Sequence, residues 1–130
     1  WQIGGGVPRP QTTESTVVEL SNGDVMLNSR NQDDDEDYRV VSISKDGGAT
    51  FSGVWAEKAL VEPRGCQASL LFHSLNPATG KGNILFSNPA NAEFRSDGTL
   101  KLSEDDARTW TKSFRYAKKP APDFTGYSDR

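Results

Sequence analysis

A chain of 130 residues, 34% hydrophobic and 25% charged, has the composition of a globular protein with a wet surface and room for one small domain or part of a larger one. A net charge of −3 lacks the basic excess that phosphate binding favours, and no apolar run approaches the roughly 18 residues of a membrane span, so neither nucleic acid nor membrane is expected as a partner. One cysteine, Cys66, excludes an internal disulfide; with a single histidine, His73, no metal site is expected and no cofactor is implied.

Taken in chain order, the segments read as strands parted by turns. Thr16 to Leu20 and Asp24 to Asn28 flank Ser21-Asn22-Gly23, and both residues of the Asn-Gly pair tolerate positive φ, which predicts a hairpin. The acidic run Asp33 to Asp37 reads as a solvated loop, because it lacks the spaced ligands and turn glycine of a calcium loop. Apolar or alternating runs follow at Tyr38 to Ser44, Val54 to Leu60, Gln67 to Phe72, Gly82 to Ser87, Thr99 to Ser103 and Thr111 to Tyr116. Gly, Pro, Asn or Asp breaks them, and no stretch has a period near 3.6. The fold class is all-β. Cys66 and His73 are expected in the core or at its edge, and no signal-peptide pattern opens the chain.

A repeat underlies these strands. Ser44-Lys-Asp46-Gly-Gly48-Ala-Thr50-Phe51 has the Ser-x-Asp-x-Gly-x-Thr-aromatic signature called an Asp box, and Ser103-Glu-Asp105-Asp-Ala107-Arg-Thr109-Trp110 is a second copy 59 residues later, with Ala107 in the glycine position. In such a box the Ser and Asp side chains bond the turn backbone, the glycine supplies the bend and the aromatic packs beneath. The role is structural, and Asp46 and Asp105 are not read as catalytic acids. Two units of that length predict four-stranded antiparallel blades of a propeller with the boxes on equivalent turns. Trp1-Gln-Ile-Gly-Gly resembles the last aromatic of a preceding box, so the chain is expected to begin inside a blade.

Four further segments carry a resemblance: Glu14-Ser-Thr-Val-Val-Glu-Leu-Ser-Asn-Gly-Asp-Val-Met-Leu-Asn-Ser-Arg30, Phe86-Ser-Asn-Pro-Ala90, Phe94-Arg95-Ser-Asp-Gly-Thr-Leu100 and Gly126-Tyr127-Ser128. With the Asp boxes, they make essentially the whole chain resemble the catalytic half of a sialidase. The resemblance implies a six-bladed β-propeller, of which this length holds about two and a half blades. Residues 1–130 are then a partial propeller domain, cut at both ends relative to the family: a truncated form, a gene fragment or one piece of an assembly. Its open strand edges invite completion of the propeller by another chain.

The resemblance also implies an activity, that of a retaining exo-α-sialidase releasing terminal sialic acid from sialylated glycans. Sialic acid carries a carboxylate on its anomeric carbon, which a carboxylate nucleophile would approach against like charge and a neutral phenol would not. Tyr127 is implied as the nucleophile and Glu14 as its base partner, with Arg30 and Arg95 as two of three arginines gripping the substrate carboxylate. Glu19 competes with Glu14, but only Glu14 stands sixteen residues before Arg30. Arg39 competes with Arg95 and is expected instead to anchor the strand entering the first box; Tyr38 and Tyr116 compete with Tyr127 as ordinary strand aromatics. Gln67-Ala-Ser69 reads either as part of the site floor or as a buried strand. The family's first arginine and aspartate acid have no counterpart in the chain, which is therefore expected to be inactive alone. The alternatives are a non-catalytic Asp-box propeller that binds an anionic sugar, and a purely structural or interaction piece.

Overall fold

The computed structural model describes residues 1–33, 35–63 and 65–117. Tyr127 lies outside the described residues. Eight strands are present among those described: β1 (Thr12–Glu19), β2 (Val25–Asn31), β3 (Tyr38–Ser44), β4 (Ser52–Val61), β5 (Ser69–Leu75), β6 (Gly82–Pro89), β7 (Gly98–Ser103) and β8 (Lys112–Arg115). They form two four-stranded antiparallel meanders, β1-β2-β3-β4 and β5-β6-β7-β8.

The two sheets close on one shared core. Alternation sends Ile84 and Phe86 of β6 inward, where they meet Val18, Met26, Val41 and Leu60 from the four strands of the first sheet and Leu70 of β5. Polar ties reinforce the contact: Asn88 Nδ2 donates to the Val61 carbonyl at 2.8 Å, and Lys101 Nζ donates to that of Ala59. Burial lowers the Lys101 pKa, with the charge of Glu57 opposing that shift.

β1 and β2 pair through the hairpin predicted at Ser21-Asn22-Gly23, with only one residue of the Asn-Gly pair at positive φ. Leu20 N–H donates to the Asp24 carbonyl at 2.8 Å and Gly23 N–H to that of Leu20 at 3.0 Å, leaving a three-residue loop in which Gly23, at φ 84°, takes the left-handed conformation and Asn22 does not. A type I turn followed by a left-handed glycine achieves the same reversal.

The turns at Ser44 and Ser103 join the third and fourth strands of their respective sheets, and their bonding is superimposable in kind. Asp46 Oδ1 accepts from Thr50 N–H at 2.8 Å and Oδ2 from the Thr50 hydroxyl at 2.7 Å, while Ser44 Oγ accepts from Gly48 N–H at 2.8 Å. Asp105 and Thr109 repeat the pair at 2.8 and 2.7 Å, and Ser103 Oγ accepts from Ala107 N–H at 2.9 Å. Trp110 meets Phe86 edge-on, ring centroids 5.7 Å apart. Ala107 and its neighbour Asp106 keep the left-handed backbone of Gly48 and Gly47, with φ of 59° and 62°. Asp106 is held there by bonds from Ser21 N–H and hydroxyl and from Gly82 N–H, so it clamps the β1–β2 turn to the second sheet.

His73 departs from its expected place. It lies exposed on β5, a ring nitrogen 3.0 Å from Ser74 Oγ, because its β5 neighbours Leu70 and Ser69 take the buried end of the strand. The acidic loop is tied to the N-terminal segment by ion pairs: Arg9 reaches Glu36 at 2.6 Å and Asp33 at 3.4 Å.

Candidate functional site

Strand register puts the chemistry at one end of the sheets and the Ser44 and Ser103 turns at the other. β1 and β2 pair from Glu19↔Val25 beside their turn to Thr12↔Asn31 at the far end, where Thr13 faces Arg30 and Ser15 faces Ser29. Glu14 is the extra residue between those two pairings. Such a bulge bends its strand and redirects a side chain. Here the Glu14 carboxylate Oε2 accepts from Arg30 Nη1 at 2.7 Å, the Arg30 side chain being 16% exposed and that of Glu14 38%.

Arg95 arrives from the second sheet on the β6–β7 loop. Asn91 shapes that loop, its Oδ1 accepting from the N–H of Glu93 at 2.8 Å and of Phe94 at 3.0 Å while Nδ2 donates to Asp97 at 3.0 Å. Asp97 itself is left-handed, at φ 60°, and ion-pairs with Arg115 at 3.2 Å. A loop so bonded presents Arg95 from a fixed frame, and Arg95 Nη2 donates to the Gly65 carbonyl at 3.2 Å. Gly65 lies equally close to Arg30: a methyl group at this position would stand 2.7 Å from Arg30 Nη2. Arg30 and Arg95, 65 positions apart in the chain, thus flank one peptide unit.

Beneath them is a buried polar cluster that the sequence reading missed. Arg39 is fully buried and Glu62 is 1% exposed, and they pair at 2.8 Å. Arg39 also donates through Nε to Asn28 Oδ1 at 2.6 Å, through Nη2 to the Asn28 carbonyl at 3.1 Å and through Nη1 to the Cys66 carbonyl at 2.6 Å. Glu62 Oε1 accepts from Asn31 N–H at 3.1 Å. Burial pushes the Glu62 carboxyl above its ordinary pKa against the attraction of Arg39, and the same burial lowers Arg39. Arg39 therefore anchors β3, as its position before the Ser44 turn predicts, but through a carboxylate that nothing in the Val-Glu-Pro context of residue 62 announces.

Cys66 lies buried among these groups. Burial raises its thiol pKa, and the charge of Glu62 adds to that rise while those of Arg95, Arg30 and Arg39 oppose it. Its raised pKa keeps it a thiol at neutral pH rather than a nucleophile. Ala68 and Ser69 are buried beside it, and Ser69 opens β5. A cleft of about 440 Å³ opens against Arg95, bordered by Asp37, Pro63, Ala92 and Glu93. A larger groove, about 590 Å³, borders Asp106 and Trp55 at the opposite end of the sheets, and neither Arg30 nor Arg95 lines it. The converging charged groups, not the larger volume, define the candidate site.

No protein-family model matches the chain. Over 103 residues, 77% of this chain and 16% of the relative, it is 38% identical to a sialidase of Micromonospora viridifaciens. Over 104 residues, 79% of this chain and 19% of the relative, it is 35% identical to a sialidase of Bacteroides fragilis (strain YCH46). The chain belongs to the sialidase superfamily. The solved structure of a Hadza microbial sialidase agrees in three dimensions, with a TM-score of 0.64 at 33% identity over 81% of this chain and 20% of that one. This sialidase-superfamily chain spans less than a fifth of the length of those curated relatives.

Proposed function

We propose that the chain is part of a retaining exo-α-sialidase, a six-bladed β-propeller that hydrolyses terminal sialic acid from glycoconjugates. The observation that carries this reading is the Glu14–Arg30 pair at 2.7 Å beside an Arg95 bonded to the same glycine that Arg30 packs against. Two meanders with identically bonded third turns support reading the sheets as successive blades and the Ser44–Phe51 and Ser103–Trp110 turns as their Asp boxes. Residues 1–130 are then a partial propeller domain, completed by the rest of a parent protein or by another chain.

In this reading Arg30 and Arg95 hold the substrate carboxylate with planar forks, together with a third arginine from elsewhere in the parent. A phenol of ordinary pKa about 10 needs a base to attack at neutral pH. Tyr127 Oη forms the bond to the anomeric carbon as Glu14 takes its proton, and the glycosidic oxygen leaves with a proton from an aspartate of the parent. Water, deprotonated by that aspartate, then attacks the same carbon, and the Tyr127 oxygen leaves and recovers its proton from Glu14. Two inversions give retention. A positioned acid contributes about a hundred- to ten-thousand-fold in rate, so this chain, which supplies neither the acid nor the third arginine, is inactive alone.

Incubating the full-length parent with a fluorinated sialoside, followed by peptide mass spectrometry, tests the assignment. The expected adduct lies on the peptide containing Tyr127 and disappears in Tyr127→Phe. Labelling elsewhere, or labelling that persists in the variant, would assign the nucleophile to another residue.

A further inference from the structure

The geometry points to Gly65, Arg39 and Glu62 as positioning residues that set the spacing of Arg30 and Arg95; the inference rests on reading those two arginines as a carboxylate clamp. Arg30 lies one residue before the end of β2 in the first sheet and Arg95 rides a loop of the second, and the segment from β4 to β5 crosses between them. Gly65, in that segment, bonds both sides: its N–H donates to the carbonyl of Asn31, next to Arg30, at 3.1 Å, and its carbonyl accepts from Arg95 at 3.2 Å.

Two separate constraints demand glycine at this point. Its φ of 64° is left-handed, and an added Cβ would lie 2.7, 2.8 and 3.1 Å from Nη2, Nε and Cζ of Arg30, so the guanidinium rests against the bare Cα. A side chain here would displace Arg30 while leaving the anchor of Arg95 behind.

The Arg39–Glu62 pair fixes where Gly65 stands. Arg39 bonds Asn28 of β2 and the carbonyl of Cys66, the residue after Gly65, and Glu62 bonds Asn31 N–H and Arg39. One buried guanidinium therefore ties the strand bearing Arg30 to the segment bearing the Arg95 contact. A pair held only for stability could be replaced by apolar packing of similar volume, which is often as stable. What apolar packing lacks is direction, because a charge-assisted bond network fixes the angle as well as the distance between the two parts it joins.

The test is a double-mutant cycle in the full-length parent, which supplies the third arginine, read by NMR titration with sialic acid. In the wild type, Arg30→Lys and Arg95→Lys are expected each to weaken binding about tenfold and to be non-additive, because both grip one carboxylate. In Gly65→Ala, and in Glu62→Asp, which keeps the charge but shortens its reach, binding is expected to fall by a similar factor and the coupling between the two lysine substitutions to vanish, with the native amide spectrum retained. A purely structural brace would lower the melting temperature and leave the coupling intact. Variants that bind sialic acid within twofold of wild type overturn the inference and leave the clamp standing; variants that both lose the native spectrum assign the brace to folding and overturn it also. Failure of the wild-type parent to bind sialic acid removes the clamp, and the inference with it.

Discussion

Glu14 and Arg30 touch at 2.7 Å because β1 carries one residue more than β2 between the Thr13↔Arg30 and Ser15↔Ser29 pairings. In the proposed clamp, the partly exposed carboxylate occupies a guanidinium for which an anionic ligand would compete. An ion pair of this exposure is worth about 0.2–1 kcal/mol, small enough for a ligand to compete with it.

Glu14→Gln is therefore expected to tighten the binding of sialic acid to this chain by roughly 1.4- to 5-fold, by removing a competitor of that strength. In an active parent the same substitution is expected to remove turnover, since the base is lost. Isothermal titration of the chain and a fluorogenic assay of the parent check the two halves.

The eight strands were legible because alternation and turn chemistry are local. Tyr38–Ser44 matches its sequence-predicted bounds, and the other strands differ only at their ends. Arg30, Arg95 and Glu14 were singled out as candidates through the resemblance of their segments, and the structure brings Glu14 to Arg30. Glu62 was not: its partners Arg39 and Asn31 lie 23 and 31 residues away, and the Glu-Pro pair after an apolar strand looks like a surface exit. Gly65 gave no signal either, since its role depends on two side chains from different sheets. Arg9 was missed for the same reason, its ion pair with Glu36 spanning 27 residues.

Asp46 makes stability depend on acid pH. The Thr50 backbone N–H, the Ser44 hydroxyl and the Thr50 hydroxyl hold its carboxyl at about 2, against an ordinary 3.8. A depressed folded-state pKa gives stability that is present above about pH 4 and lost as pH falls through 2. Thermal melts of wild type and Asp46→Asn from pH 2 to 6 are expected to lie closest near pH 2, diverge up to about pH 4 and run parallel above it. A constant difference would exclude the carboxylate as the cause.

Removing one member of the buried pair leaves the other charge stranded. Glu62→Ala is expected to cost about 3–5 kcal/mol, whereas Lys112→Ala, which breaks the exposed pair with Glu104, is expected to cost less than about 1 kcal/mol. Urea unfolding of the two variants gives the comparison directly.

Ala107 sets two effects of similar size against each other. Its left-handed φ of 59° costs about 1–2 kcal/mol relative to glycine, while its buried methyl contributes about 0.8 kcal/mol. Ala107→Gly is therefore expected to be neutral or stabilising by up to about 1 kcal/mol, whereas Gly48→Ala, its counterpart in the other turn, is expected to destabilise by about 1–2 kcal/mol. Midpoints of chemical unfolding distinguish the signs.

The clamp is tested most directly by following the arginine Nε–H resonances of this chain during titration with sialic acid and, separately, with its methyl ester. The account predicts that Arg30 and Arg95 shift together along one saturation curve with the acid and that neither responds comparably to the ester, whose carboxylate charge is gone. An acid that leaves either arginine unmoved, or an ester that shifts both as strongly, would contradict it.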